Sequence, residues 1–213
     1  MEIIKQSCEF LDMTKDVLRT IEKAGRTCYK SEGMITEGSS IEFVRKLIKR
    51  GHEAMIEHAY ASYRFITDRG VTHEIVRHRL FSFAQESTRY CNYSGGVTFI
   101  RPFWIACNLG EYGKDNLTYF GKDPDQYWFV SMAHAEESYI KLLDLAWTPQ
   151  QARSVLPNGL KTEIVVTGNF REWRHFFKLR TAKTAHPQMR EIAIECFKDF
   201  QTRCPVIVED IEI

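Results

Sequence analysis

Apolar residues recur along the chain at two periods, and these periods predict its helices and strands. Spacing of three to four positions predicts amphipathic helices. These helices are expected at residues 13–30, 41–50, 127–146 and 187–200. Alternation of apolar and polar side chains between Tyr60 and Ile66 predicts a half-buried strand, and a second, short strand is expected at residues 97–100. The pattern indicates a mixed fold of helices and strands.

A further helix is predicted between the first strand and residue 81. Asp68-Arg69-Gly70 is typical of a turn, after which Thr72 can cap a helix. Its apolar side would carry Ile75, Val76, Leu80 and Phe81. Arg77, His78 and Arg79 would then fan across roughly 200° of the helix, because each residue advances by about 100°. Such a fan cannot address one ligand from one face, which favours a site shared between two ligands, two parts of one ligand, or a ligand and a neighbouring subunit.

The C-terminal third of the chain carries a helix start of its own. Asn169, with Glu172 three residues later, resembles a capping box. On this helix we expect Phe170, Trp173 and Phe177 to face inward and Arg171, Arg174 and Lys178 to face outward. A short helix is expected between Thr148 and Pro157, whereas residues 107–126 are polar and turn-rich and are expected to form an exposed excursion.

Length and composition favour one domain spanning residues 1–213. With 44% hydrophobic residues the chain can bury a core, and it contains no repeat, low-complexity run or flexible linker. We predict an α+β fold in which a mainly antiparallel sheet is packed by helices. The sequence has neither G-x-G-x-x-G nor G-x-x-x-x-G-K-[ST], so a dinucleotide would be held at a non-Rossmann site.

Charge and cysteine usage exclude several classes of protein. The chain has 29 basic and 28 acidic residues, a balance that opposes non-specific nucleic-acid binding. The N-terminus has no signal-peptide pattern and no stretch is apolar enough to span a membrane, which predicts a cytoplasmic protein with no membrane partner. The six cysteines form no C-x-x-C pair and are expected to remain thiols. H-E-x-x-H fails because Ile56 and Arg77 stand where the second histidine would be, and no metal is predicted.

The triplet Arg77-His78-Arg79 is the main candidate for chemistry. A guanidinium pairs with phosphate oxygens through two parallel hydrogen bonds and stays charged in any pocket. The alternative is a solvated charged face held by pairs along a helix. Ser87 lacks a G-x-S-x-G setting and is a weak candidate for a hydrolase nucleophile.

Arg77-His78-Arg79, followed after seven residues by Ser87, resembles the RHR-x7-S signature of the flavin-dependent thymidylate synthases. Four further segments resemble this family in the same order. They are Gly51-His52-Glu53 with Glu57-His58, Ala152 to Pro157, Gly168 to Arg171, and Leu179-Arg180. The resemblance extends from about residue 24 to 195, and it identifies the chain as a member of the family.

The resemblance implies reductive methylation of dUMP to dTMP with FAD, NADPH as the reductant and 5,10-methylenetetrahydrofolate as the one-carbon donor. It also implies a homotetramer whose active sites are shared between subunits. The residues that it assigns to FAD are Arg77, His78, Arg79, Asn169, Arg171 and His175. The residues that it assigns to dUMP are Glu74, Arg77, Gln85, Glu86, Ser87, Thr88, Arg89, Arg153 and Arg180.

Arg180 is the expected catalytic residue, because a guanidinium beside the uracil ring would favour its anionic form and raise electron density at C5. Ser87 and Arg89 are expected at the phosphate, and Ser87 is expected to bind rather than to attack, since it has no adjacent base. The chain departs from the family where Thr184 replaces a frequent histidine, with His186 two residues later. Gln85 also stands where some members have Glu.

Two alternatives from other functional classes remain open. One is a catalytically silent nucleotide-binding protein on the same fold, which would lose Arg180 or the flavin contacts. The other is a single-stranded nucleic-acid module that uses Phe81, Phe83 and Tyr90 beside the basic cluster. Balanced charge opposes the second alternative, and we expect Phe81 and Phe83 to belong to the core.

Overall fold

The computed structural model describes residues 1–113 and 123–213. Its helices are α1 (Val17–Thr27), α2 (Ser39–Lys49), α3 (Arg69–Ile75), α4 (Pro124–Asp144), α5 (Pro149–Ala152), α6 (Phe170–Arg180), α7 (Pro187–Arg203) and α8 (Pro205–Val208). Its strands are β1 (Glu2–Ile4), β2 (Ser7–Met13), β3 (Tyr60–Asp68), β4 (Ser82–Gln85), β5 (Thr98–Ile100), β6 (Gly110–Glu111) and β7 (Lys161–Asn169). Short 3₁₀ turns lie at Glu32–Met34, Glu53–His58 and Arg153–Val155.

The chain divides into two compact units. Unit 1 comprises Met1–Ser7, Phe65–Ile75 and Ala84–Ile164, and unit 2 comprises Cys8–Arg64, Val76–Phe83 and Val165–Ile213. Each unit consists of three separate segments of the chain, so neither unit is a continuous stretch of the sequence. The expectation of one domain over residues 1–213 stays a prediction.

Unit 1 contains a three-stranded sheet in the order β5-β1-β6. Strand β1 pairs with β5 in parallel, with Ile3 opposite Phe99, and with β6 in antiparallel fashion. An apolar cluster formed by Val97, Phe99, Met132, Tyr139, Ala152 and Leu160 is buried in this unit. The N-terminal ammonium adds an ion pair with Glu136 at 2.8 Å, which ties the first residue to α4.

The second sheet has the strand order β2-β3-β7-β4. Phe170 N donates to Ala59 O at 3.0 Å, and the hydroxyls of Ser62 and Thr167 lie 2.7 Å apart. As one strand advances by three residues its partner therefore retreats by three, and β3 and β7 are antiparallel. This supports the prediction of a mainly antiparallel sheet, and the mixed helix and sheet class is confirmed.

Aromatic side chains form the core of unit 2. Trp173 is fully buried, its indole N–H donates to Ala61 O at 3.0 Å, and its ring contacts Tyr63 edge-on at 5.3 Å between centroids. The inward prediction for Phe170, Trp173 and Phe177 is confirmed, since all three are fully buried. The stripe predicted on the last helix is also confirmed, because Ile192, Ala193, Cys196, Phe197 and Phe200 are buried on α7.

The prediction for residues 68–81 is wrong in three respects. The strand runs on to Asp68 and α3 begins directly at Arg69, so no separate turn intervenes. The Asp68 carboxylate, rather than Thr72, caps the helix by accepting from Val71 N at 2.7 Å. The helix ends at Ile75, so Arg77 to Arg79 lie in an irregular turn and do not fan around a helix axis.

Strands β1, β2, β4, β6 and β7 were not expected from the sequence. In β7 a signal was present, because the buried positions Thr162, Ile164, Val166 and Gly168 alternate with more exposed ones. The exposed excursion expected at residues 107–126 is outside the described residues at 114–122. Its described part contains β6, which pairs with β1, and the first residues of α4.

Helices α1, α2, α4, α5 and α6 lie close to their expected positions. The six cysteines, all of which belong to the described residues, are free thiols as expected. Within the described parts of the chain, no helix is both long enough and apolar enough to span a membrane.

Candidate functional site

Arg77, His78 and Arg79 form a turn in unit 2, and they differ in how far they are buried. Arg77 and Arg79 are exposed, whereas His78 is only 3% exposed. Phe81 N donates to His78 O at 3.1 Å and closes the turn before β4 begins at Ser82. The turn therefore presents two cations to the surface and directs the histidine into the core.

His78 is hydrogen-bonded at both ring nitrogens to residues of α6. Arg180 Nε donates to His78 Nε2 at 3.0 Å, and His78 Nδ1 lies 3.2 Å from Glu172 Oε1. The His78 ring also packs edge-on against Phe176, with 5.1 Å between centroids. A chain of hydrogen bonds thus connects the expected catalytic arginine, through a buried imidazole, to a buried carboxyl group.

The electrostatics keep His78 neutral. Burial, followed by electrostatic interactions with Arg180 and His175, lowers the pKa of His78 from 6.5 to about 4. Burial also raises the pKa of Glu172, an effect that the neighbouring His175 opposes. At neutral pH the imidazole carries one proton, and the position of that proton depends on its two partners.

Helix α6 begins where the sequence predicts. The Asn169 side chain accepts from Glu172 N at 2.9 Å, as in a capping box. The Glu172 side chain does not complete the box toward Asn169 but reaches His78 instead. Because residues three apart share a helix face, Glu172 and His175 lie next to each other there.

A cleft of about 600 Å³ opens in unit 2 beside this helix face. Its lining residues are Glu53, Glu57, Leu80, Asn169, Arg171, Glu172, Arg174, His175 and Lys178. Three of the residues assigned to FAD by resemblance, Asn169, Arg171 and His175, meet in this cleft. Arg171 is held there by Glu57, with 2.7 Å between Nη1 and Oε1.

The expectation that Arg174 faces outward is wrong. Its side chain is 2% exposed and forms a bidentate pair with Asp210, at 2.6 and 2.8 Å. It also donates to Ile207 O and pairs with Glu53 at 3.4 Å. The hydrogen bonds from Arg174 lower the pKa of the Asp210 carboxyl, since they favour its charged form. The guanidinium of Arg174 can be buried because the fold brings polar partners to it. These partners, Glu53, Ile207 and Asp210, lie on other segments of the chain.

The remaining residues assigned to dUMP belong to unit 1. Arg153 Nη1 donates to Thr88 Oγ1 at 3.1 Å, and Arg89 Nε donates to Gln150 Oε1 at 2.8 Å. Both arginines are exposed, and because a guanidinium has five N–H donors, each retains donors for an anion. Ser87 Oγ accepts from Arg89 N at 3.4 Å and thereby stabilises the same turn.

Gln85 and Glu86 are held by polar neighbours that sequence reasoning did not identify. Gln85 Nε2 donates to Thr72 Oγ1 at 3.0 Å. Glu86 accepts from Tyr93 OH at 2.8 Å and pairs with Lys161 at 3.3 Å. Burial and the bond to Glu86 raise the pKa of Tyr93. Glu74, on α3, is half-buried.

One cluster could in principle hold a metal ion. The ligand atoms of His78, Glu172 and His175 lie within 4.8 Å of one another. However, the guanidinium of Arg180 is 3.0 Å from His78 Nε2, and a permanent cation at that distance opposes a second one. The cluster is therefore better described as a hydrogen-bonded network, and the expectation that no metal binds stays a prediction.

Comparison with known proteins identifies the family. A sequence profile of the family described as thymidylate synthase complementing protein matches residues 9–206. The chain belongs to this family. The flavin-dependent thymidylate synthase of Corynebacterium glutamicum is 35% identical over 201 residues, which cover 91% of this chain and 79% of that protein. The one from Mycolicibacterium gilvum is 34% identical over 206 residues, with the same two shares covered.

Two solved structures have the same fold as this chain. The UMP/dUMP methylase PolB from Streptomyces cacaoi, bound with 5-Br dUMP, superposes with a TM-score of 0.78 at 27% identity, covering 98% of this chain and 96% of that one. Thymidylate synthase X from Helicobacter pylori, solved with FAD and dUMP, gives a TM-score of 0.77 at 22% identity and covers 97% of this chain and 98% of that one. The prediction that the chain is a flavin-dependent thymidylate synthase family member, and so an enzyme of the methyltransferase class, is confirmed.

Proposed function

We propose that this enzyme converts dUMP to dTMP with FAD as cofactor, NADPH as reductant and 5,10-methylenetetrahydrofolate as one-carbon donor. The observation that carries the proposal is the family match over residues 9–206, which contains every residue assigned to the site. A methylene group gains two electrons and a proton when it becomes a methyl group. A reductant is therefore required in addition to the one-carbon donor.

The cleft of unit 2 fits part of a flavin cofactor. Its volume of about 600 Å³ lies within the range of ligand sites. Its lining offers Arg171 and Lys178 to the diphosphate of FAD, and Leu80 adds an apolar surface. Glu53, Glu57 and Glu172 belong to the same lining, and Arg171 pairs with Glu57, so the diphosphate would compete with that carboxylate for Arg171. Asn169, Arg171 and His175 would hold the cofactor there, and we assign Arg77 and Arg79 of the exposed turn to the same ligand. When bound, FAD would supply hydride transfer.

His78 would act on this site differently from its two arginine neighbours. Its ring is buried and both nitrogens are already hydrogen-bonded to Arg180 and Glu172. We therefore retain the FAD assignment of His78 as a contact of the ring rather than as a hydrogen bond.

The dUMP phosphate would be bound by Arg89 and Arg153, with Ser87 and Thr88 as further polar groups. Both guanidinium groups are oriented by a neutral partner, Gln150 or Thr88, and not by a carboxylate. Their charge is consequently not neutralised in these contacts, which favours binding of a dianion. We also assign Glu74, Gln85 and Glu86 to dUMP, as the resemblance implies.

Arg180 would act on the uracil ring. A fixed guanidinium beside N3 and O4 stabilises the anionic ring and thereby raises the electron density at C5, the atom that must form the new carbon–carbon bond. Arg180 is half-buried, and its Nε–H is committed to His78, so the terminal amino groups are presented in a defined plane. We further propose a cytoplasmic homotetramer with shared active sites.

The first test is an absorbance spectrum from 300 to 550 nm of purified protein, after FAD is added and the excess is removed by gel filtration. We expect retained flavin that is bleached by anaerobic NADPH, faster when dUMP is present. Product analysis with 5,10-methylenetetrahydrofolate should then give dTMP. A folded protein that retains no flavin would overturn the proposal.

Two binding measurements, with dUMP and with oligonucleotides, separate the two alternatives from the proposal. A silent nucleotide-binding protein would bind dUMP without forming dTMP. A single-stranded nucleic-acid module would bind oligonucleotides with an affinity that depends on salt and length. Phe81 is 6% exposed and belongs to the core, as expected, so it cannot serve as a base-stacking platform.

A further inference from the structure

We propose that Glu172 is a positioning residue, which holds Arg180 in its working orientation by fixing the tautomer of His78. The inference rests on the proposed function, because it concerns the arginine expected to act on the uracil ring. Neither the family segments in the sequence nor the assignments made from them include Glu172. The fold brings Glu172 next to His78.

The position of the His78 proton follows from its partners. An arginine Nε–H can only donate, so His78 Nε2, at 3.0 Å from Arg180 Nε, must be the accepting nitrogen. A neutral imidazole has one N–H, which is then on Nδ1 and donates to Glu172 Oε1 at 3.2 Å. Glu172 thus selects the tautomer that Arg180 requires.

Because His78 and Glu172 are both buried, water cannot readily replace Glu172 as the group that fixes the tautomer. The side chains of His78 and Glu172 are 2% and 7% exposed, so solvent is a poor substitute for either partner. Glu172 is itself fixed, because its backbone N–H is capped by Asn169 and α6 packs through the buried Phe176 and Phe177. The carboxylate therefore has a defined position relative to the imidazole.

Without Glu172, the Nδ1–H of His78 would be buried without its acceptor, which weakens the preference for the tautomer that Arg180 requires. In the Nε2–H tautomer, the ring N–H and the Arg180 Nε–H would face each other as two donors, and the guanidinium would turn away. A catalytic group that is displaced by about 1 Å can lose about 100-fold in rate. We expect Glu172→Ala to lower kcat by about 10-fold to 100-fold while the KM for dUMP changes by less than about threefold.

A spectroscopic measurement tests the tautomer independently of the enzyme activity. The ¹⁵N shifts of the histidine ring nitrogens distinguish Nδ1–H from Nε2–H, and His78→Gln identifies the signals of His78. In the FAD-loaded wild type at pH 7.5 we expect the Nδ1–H form. In Glu172→Ala we expect a shift toward Nε2–H, and in Glu172→Gln, whose amide oxygen still accepts, retention of Nδ1–H with recovery of most of the lost kcat.

The coupling to His78 is tested by a double-mutant cycle. In a His78→Gln background there is no tautomer to select, so adding Glu172→Ala should change kcat by less than about twofold. Glu42→Gln, which removes an exposed carboxylate on α2, is the control for loss of charge and should match the wild type. Circular dichroism and flavin retention would show that each variant is folded.

The outcomes are separable. A wild-type Nε2–H signal, an unchanged kcat in a folded Glu172→Ala, or a full loss that persists in the His78→Gln background would overturn the positioning role. A wild type that shows the Nδ1–H form but makes no dTMP would overturn the proposed function, and the catalytic part of the inference with it. In that case the hydrogen-bonded chain itself would still be established.

Discussion

Substitution of Gly168 by alanine should destabilise the protein because the Phe81 ring occupies the space that a side chain would need. A Cβ built on Gly168 would lie 2.0 Å from Phe81 Cδ1 and 2.4 Å from Cε1. Phe81 cannot easily retreat, since it is 6% exposed and lies 4.6 Å from Trp173 and 5.9 Å from Phe176 between ring centroids. Both residues belong to the core of unit 2.

The size of the effect follows from two opposing contributions. Overpacking of a filled core costs about 1–3 kcal/mol, and a contact as short as 2.0 Å places this case toward the upper end. Replacing glycine by alanine in a strand returns about 0.5–1 kcal/mol through lower entropy of the unfolded chain. We expect a net loss of about 2 kcal/mol, or roughly 30-fold in the folding equilibrium.

Urea unfolding at one fixed protein concentration measures this loss, with an unchanged m-value as evidence that the unfolded state is comparable. Gly33→Ala is the matched control, since no atom lies within 4 Å of a Cβ at that position. Its stability should stay within about 0.5 kcal/mol of the wild type. In the double variant with Phe81→Leu, the Gly168→Ala cost should largely disappear. A Gly168→Ala protein as stable as the control would refute the steric argument.

Four further predictions concern charged residues. Arg174→Leu should cost about 1–3 kcal/mol in urea unfolding, because it removes the donor of the buried Ile207 carbonyl and the partner of the partly exposed Asp210. Arg45→Leu, at an exposed pair, should cost less than about 1 kcal/mol, and equal losses would contradict the burial argument. His78 has a folded pKa of about 4 against 6.5, so stability should be constant above pH 6.5 and fall below it toward pH 4, by at most about 1.4 kcal/mol per pH unit. His78→Gln should abolish that slope, and an identical slope in the variant would assign it to other groups. Arg180→Lys should retain the fold and flavin but lower kcat steeply, and near-native turnover would refute its role. Arg89→Ala should raise the Kd for dUMP and leave flavin retention unchanged; loss of flavin with intact dUMP affinity would reverse this assignment.

The local pattern of the sequence was sufficient for most helices. Residues of a helix contact neighbours three and four positions away, so periodicity and caps record them directly, as at Asn169 and along α7. The family segments were also readable, since they are short and appear in a fixed order. These features predicted the family and, through it, the candidate residues.

The strands and the turn at residues 76–81 depended on pairing between distant segments. Strand β4 is stabilised in a sheet beside β7, and Phe81 packs on Gly168, which is 87 residues away in the sequence. This packing competes with the helical preference of the same stretch, and α3 ends before it, at Ile75. Local propensity could not indicate which of the two would prevail.

The sequence alone therefore determined most of the helices, the family and the arginines offered for anion binding. Tertiary structure alone decided that Arg174 is buried and that His78 joins Arg180 to Glu172. In the sequence, His78 is separated from Glu172 by 94 positions and from Arg180 by 102 positions. The physical reason is that the cost of burying a polar or charged group depends on its partners, and these partners come from segments whose proximity exists only in the folded chain.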